Sequence, residues 1–291
     1  MYKLPLGLSV RIGKPLGFYN DKYNYELEPN FINKVKKMEE LGFDSIDVDF
    51  DAVYVPSDLY LFDKGLEVIR KSNLKFNCAH MPINFSWCDL ASPYPIDRKG
   101  ICDMFIKFIN HLEEYNVRAV VFHPGGLTLG FNSVNESNLN EYLKYLIESL
   151  NYISKNVNVC VCIENMSSQY FLSDSNQMTY ILDNCPNVYT CVDVNHYYHE
   201  KAWDAILKFK DRIGCVHISD YDFIKERHLM PKEGLNDWNK IIDALRKTNF
   251  KYSFNYELSS LYNYTLEDVK KNYLELFDEY NKKYKGDCYV I

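Results

Sequence analysis

The chain has 291 residues and a mass of 34.4 kDa, enough for one large domain with a sizeable core, and its 47% hydrophobic and 25% charged residues are those of a globular protein. A net charge of −7 offers no electrostatic attraction to nucleic acid or to an anionic membrane, and no stretch approaches the length of a membrane span. The nine cysteines are odd in number, scattered and without a C-x-x-C pair, which argues against disulfides or a zinc knuckle and for a reducing, cytoplasmic home.

In chain order, the opening Met1-Tyr2-Lys3-Leu4-Pro5-Leu6 carries no long apolar region or small-residue cleavage site and runs into a β-rich stretch at 4–10. Helical period over 28–41 leads to a strand at 44–50, 57–72 to one at 75–80, 96–116 to one at 117–123, and 134–155 to one at 157–164. The alternation continues with helices at 174–184, 199–210, 237–248 and 265–283 around strands at 188–193, 213–218 and 251–257. Over 134–155, Ser133 or Asn135 is positioned to cap, and Leu139, Tyr142, Leu143, Leu146, Leu150 and Ile153 form one apolar stripe. No Pro/Gly/Ser linker divides the sequence, so residues 1–291 read as one domain. Eight strands alternating with eight helices predict an α/β chain closed into a (β/α)8 TIM barrel. The open, doubly wound sheet is the alternative, and the lack of a Gly-rich turn after the first strand weakens it.

Barrel enzymes carry their sites at the C-terminal ends of the strands. Those ends read His80, His123, Glu164, Asp193 with His196, His217, and Glu257. A single such residue is commonly a hydrogen-bonded core group, but six consecutive strands ending in a residue able to bind a divalent cation indicate a metal site. The loop after His217 adds Glu226, Arg227 and His228.

Side chains alternate along a strand, so residues two and four before each candidate ligand share its inward face. These are Phe76 and Cys78, Ala119 and Val121, Cys160 and Cys162, Tyr189 and Cys191, Cys215, and Ser253 and Asn255. Five cysteines thus fall inside the barrel, where a thiolate cluster is one reading and small core filler the preferred one. In the second strand Asp47, Asp49 and Asp51 occupy one face; the preferred reading points them inward, with Asp49 or Asp51 near the mouth. Trp87 and Tyr94, after the third strand, suit a lid or a sugar-stacking platform, or plain packing. The last four residues, Cys288-Tyr289-Val290-Ile291, fit a prenylation box poorly and read as a frayed end.

"HPGG" after the fourth strand, "EN" after the fifth, D-x-x-H after the sixth, H-x-x-D with a later R-H after the seventh, and the last-strand Glu occur in this order. Together they resemble the xylose-isomerase-like TIM-barrel superfamily, which holds sugar isomerases and epimerases and also nucleases of the endonuclease IV type. The resemblance implies a central cation (Mn²⁺, Mg²⁺, Co²⁺ or Zn²⁺) held by Glu164, Asp193, His217 and Glu257. It also implies enediolate chemistry on a carbohydrate, with Glu164 and Glu257 moving protons and His196 orienting the substrate oxygen. Ketohexose 3-epimerases have a substrate-binding Glu where this chain has Tyr170 and an Arg where it has Phe223, so a different ketose, an inositol-type ketone or a sugar phosphate is expected. Arg227, Lys232 and Trp87 are the further substrate candidates.

Two other readings remain at this point. Endonuclease IV-like cleavage would use three zinc ions, on His80, His123 and Glu164, on the central four, and on His196, Glu226 and His228. Against it, Met-Pro-Ile-Asn follows His80 in place of a Tyr-Leu wedge, "ENMSSQY" lacks the nuclease's glycines, and no Lys/Arg cluster stands out for phosphates. The third reading is a non-catalytic sugar-binding barrel. No nucleic acid or membrane partner is expected, and exposed aromatics would suit a homo-oligomer.

Overall fold

Short runs rich in Val, Ile, Cys and Phe suit strands buried on both faces, and in this chain they form the parallel barrel that such runs favour. A computed structural model describes residues 1–19, 22–50, 60, 62–82, 88–126, 134–167 and 171–284, without the side chains of 14–26. Asp51, Trp87, Ser133, Tyr170 and the tail from Cys288 lie outside the described residues.

The first barrel strand is β1 (Leu6–Arg11), followed by an antiparallel hairpin of β2 (Gly13–Tyr19) and β3 (Lys22–Leu27). Then come α1 (Phe31–Glu40), β4 (Ser45–Asp49), α2 (Asp63–Lys71), β5 (Lys75–His80), α3 (Pro95–Glu113) and β6 (Ala119–Phe122). The second half contains α4 (Leu139–Ser154), β7 (Cys160–Glu164), α5 (Ser175–Asn184), β8 (Val188–Asp193), α6 (Ala202–Phe209), β9 (Ile213–Ile218), α7 (Trp238–Lys247), β10 (Phe254–Tyr256) and α8 (Leu266–Lys283). The eight strands other than the hairpin close a parallel barrel, β4 and β10 both pairing with β1. This is the expected (β/α)8 architecture. The hairpin is an addition to it, unexpected because Pro15 and two glycines weaken any strand pattern there.

The core has two layers. Between strands and helices lie the large side chains, Phe31, Phe50, Phe105, Phe122 and Phe254 among them. Inside the barrel lie Cys78, Ala119, Val121, Cys162, Cys191 and Cys215, flanked by Cys160 and Tyr189. Small side chains are what a narrow barrel interior admits. Gly214 shows the tightness: a Cβ there would stand 2.5 Å from Cys162 Sγ.

One inward assignment fails. The register slips between Ile46 and Asp47, so Ile46 pairs with Phe76 but Asp47 with Cys78. The extra residue, Asn77, turns its amide onto Asp47 Oδ1 at 2.7 Å, and Phe76 packs in the outer layer instead. Asp47 does face inward, as preferred, but is 2% exposed and buried below the rim. Asp49 lies half-buried beside Arg11, at 3.4 Å. The cap expectation for α4 also changes: the helix starts at Leu139 after Asn138, and the Asn135 side chain instead accepts from Ser137. Among the described residues no helix is long and apolar enough to cross a membrane.

Candidate metal centre

The strand ends converge. Glu164, the last residue of β7, is 1% exposed, and its two oxygens face different imidazoles. Oε2 lies 3.0 Å from His80 Nε2 and 3.4 Å from His123 Nε2; Oε1 lies 3.0 Å from His217 Nδ1. His217 Nδ1 is also 2.9 Å from Glu257 Oε2. Beyond Asp193, His196 Nε2 stands 3.5 Å from both Asp193 Oδ2 and Glu226 Oε1, and His228 Nε2 stands 2.9 Å from that same Glu226 oxygen.

Nine sequence-predicted residues therefore meet on one rim, in ligand sets that share carboxylates: His80, His123, Glu164; Glu164, Asp193, His217, Glu257; and Asp193, His196, His228. Glu226 closes the last set. Arg227 and Lys232 are engaged elsewhere, with Asp222 at 2.7 Å and Glu279 at 2.6 Å. Tyr94 is exposed at the start of α3.

Backbone contacts orient these rings. His196 Nδ1 lies 2.7 Å from the Asn165 carbonyl and His228 Nδ1 lies 3.1 Å from that of Glu257. If Nδ1 carries the proton that each carbonyl requires, Nε2 is left with its lone pair toward the carboxylates, the state a metal ligand needs. At this centre buried Asp193 Oδ2 and His196 Nε2 have no hydrogen-bond partner among the described residues, and Glu257 Oε2 has only His217 Nδ1 beside it. Ligands sharing a tetrahedral cation at about 2.0–2.2 Å stand roughly 3.3 Å apart, which the separations above bracket. Orphaned acceptors in an oxygen- and imidazole-rich set fit a divalent cation.

The electrostatics agree. Burial alone would raise the Glu164 carboxyl, but His217, His123 and His80 hold it well below the usual range. Burial opposes protonation of His217, yet Glu257 and Glu164 carry it well above an ordinary imidazole. His196 rises to about 10 against burial through Asp193, Glu226 and Glu164, and His228 to about 9 through Glu226, Asp193 and Glu257. Burial pushes Asp193 up to about 6, while Glu257, despite burial, falls to about 2 beside His217. Protein charges alone thus load the rings with protons, which a cation would displace on binding.

Several supporting residues had no role assigned from sequence. Asn165 clasps Asp193 twice, its Nδ2 donating to the Asp193 carbonyl (3.0 Å) and its Oδ1 accepting from the Asp193 N–H (2.8 Å). Asp89 accepts from the Gly126 N–H at 2.7 Å; a Cβ at Gly125, where φ is +79°, would lie 2.1 Å from the same oxygen. Asp220 accepts from Tyr221, Lys232 and Asn236 N–H groups and from Trp238 Nε1, pinning the loop that bears Glu226 and His228. The "EN", "HPGG" and H-x-x-D motifs held these residues in view; the contacts that explain them are long-range.

Residues 35–276 match the family described as xylose isomerase-like TIM barrel. The chain is 27% identical to an uncharacterized protein of Methanocaldococcus jannaschii, covering 64% of this chain and 72% of that one. It is 26% identical to a probable endonuclease 4 of Mycoplasma mycoides subsp. mycoides, over 62% and 74% of the two chains. Among solved structures, a D-tagatose 3-epimerase-like protein superposes with a TM-score of 0.73 at 15% identity, over 96% of this chain and 99% of that one. The 3-keto-D-glucoside 4-epimerase of E. coli gives 0.69 at 17%, over 96% and 100%. At such identities the likeness is one of fold.

Proposed function

This chain belongs to the xylose isomerase-like TIM-barrel family, and we propose that it is a divalent-metal-dependent isomerase or epimerase of a small carbohydrate. The observation that carries this is the placing of Glu257: it lies 2.9 Å from His217 at the heart of the ligand set, yet also lines an open cavity of about 620 Å³. Its side chain is 25% exposed where that of Glu164 is 2%. A cavity of that size, with Ser9, Arg11, Asp49 and Ser259 in its wall, suits a monosaccharide or its phosphate.

Glu164, Asp193, His217 and Glu257 would hold the cation, which supplies Lewis acidity toward a carbonyl and its neighbouring hydroxyl. We assign to Glu257 the proton taken from the adjacent carbon, which it returns at the neighbouring carbon in an isomerisation; in an epimerisation the proton delivered to the opposite face would come from Glu164, across the cation. Glu164, enclosed by imidazoles, anchors the opposite side of the set. His196, fixed by the Asn165 carbonyl, orients a substrate oxygen.

A second reading, three-metal phosphodiester cleavage, is favoured by the two flanking ligand sets and by relatives named probable endonuclease 4. Against it, Met-Pro-Ile-Asn follows His80 in place of a Tyr-Leu wedge, and among the described residues the cavity wall sets Arg11 and Lys34 against Glu28, Asp49 and Glu257, so it presents no net cationic track for a phosphate backbone. Elemental analysis of the gently purified protein separates the two. About one exchangeable ion per chain supports the carbohydrate enzyme; about three tightly held zinc ions would favour the nuclease and make an abasic duplex the substrate to test.

A further inference from the structure

A second cavity, of about 480 Å³, opens at the other end of the barrel, among the starts of β5 and β6 and the segment leading into β10. Among the described residues every charged one that lines it is a cation: Arg70, Lys75, Arg118 and Lys251. In a chain of net charge −7 this concentration is not a reflection of composition.

Arg118 is the half-buried member. Its Nε donates to Asn77 Oδ1 (2.8 Å), one terminal nitrogen donates to the Gly214 carbonyl (2.9 Å) and contacts Cys215 Sγ (3.3 Å), and its guanidinium carbon lies 4.0 Å from the centre of the Tyr252 ring. Among the described residues its other terminal nitrogen makes no hydrogen bond, and no carboxylate lies within ion-pair distance of the guanidinium. Asn77 stands between it and the buried Asp47, donating to Asp47 Oδ1 while accepting from Arg118 Nε. Lys75 and Lys251 likewise have no ion pair among the described residues, whereas Arg70 is held by Glu67 at 2.6 Å. Apart from the Cys215 sulfur the guanidinium faces no anionic group at contact distance among the described residues, and its open terminal nitrogen, beside two unpaired lysines, is a ready donor to an anion.

We propose that this cavity is a binding site for a small phosphate monoester, the phosphoryl group on Arg118, Lys75 and Lys251 and the organic body against Tyr115 and Tyr252. The volume falls in the range of small-ligand sites and exceeds what a bare phosphate would fill. The site is separate from the metal rim and independent of the reaction assigned there.

Isothermal titration with inorganic phosphate, ribose 5-phosphate and ribose tests it on the full chain. At this cavity, identified as the part of the binding that K75M/K251M weakens far from the metal rim, ribose 5-phosphate binds more tightly than phosphate and ribose does not bind. K75M/K251M, which alters two exposed side chains and leaves metal content unchanged, weakens ribose 5-phosphate by about tenfold or more, the loss expected for charge-assisted contacts. R118Q abolishes binding, and K75R/K251R retains it. Unchanged affinity in K75M/K251M, or no saturable binding to the wild type, would overturn the site. Equal affinity for phosphate and ribose 5-phosphate would overturn the monoester assignment.

Discussion

Glu164 Oε1 stands 3.0 Å from His217 Nδ1, a carboxylate and an imidazole that are each 1% exposed. Glu164 keeps His80 and His123 and His217 keeps Glu257 when the other is removed, but the loss takes a charge partner out of a coupled low-dielectric set. H217A is therefore expected to lower metal affinity by at least about 100-fold, and to destabilise the chain by roughly 3–5 kcal/mol. Competition against a chromophoric chelator and urea unfolding measure the two effects. E164Q keeps the shape but not the charge, and the same affinity loss with a smaller stability loss is expected.

Asp220 is 0% exposed and accepts four hydrogen bonds, two of them at 2.8 Å. An asparagine offers only one oxygen, so D220N leaves buried donors unpaired at a cost of about 2–4 kcal/mol. The loop with Glu226 and His228 should loosen before the barrel does. Hydrogen exchange over residues 221–236 should speed up in D220N while β7 and β8 stay protected.

Burial pushes the Asp47 carboxyl up to about 7, with Cys215 adding and the Asn77 hydrogen bond opposing. Folded Asp47 keeps its proton where the unfolded chain, near its ordinary value of 3.8, has lost it. This contribution to stability is thus fully present below about pH 4, shrinks as pH rises, and is gone above about pH 7. The total is on the order of a few kcal/mol. D47N should flatten the stability profile across that window and be the more stable protein at pH 8, as thermal melts at several pH values would show.

The barrel and its rim were legible because two periodicities, 2 in strands and 3.6 in helices, persist along the chain and each strand ends in a ligand-type residue. What the pattern could not convey was a one-residue slip. Phe76 suits either face of β5, so only the pairing of Asp47 with Cys78 reveals that Asn77 has taken the inward place. Arg227 and Lys232 carry the charge an anionic substrate would need, but Asp222 and Glu279 sit close enough in space to engage them. The roles of Asn165 and Asp89 lie in bonds to backbone 28 and 37 residues away, beyond any local motif.

Proton transfer by Glu257 is the central claim, and deuterium incorporation reads it directly. The metal-loaded protein is incubated in D2O with a panel of ketoses and ketose phosphates, and the sugars are examined by mass spectrometry. One substrate should gain deuterium beside its carbonyl, with E257Q slower by about 100-fold or more while retaining its fold. Incorporation at the wild-type rate in E257Q, or none in any sugar by a fully metal-loaded wild type, would contradict the account.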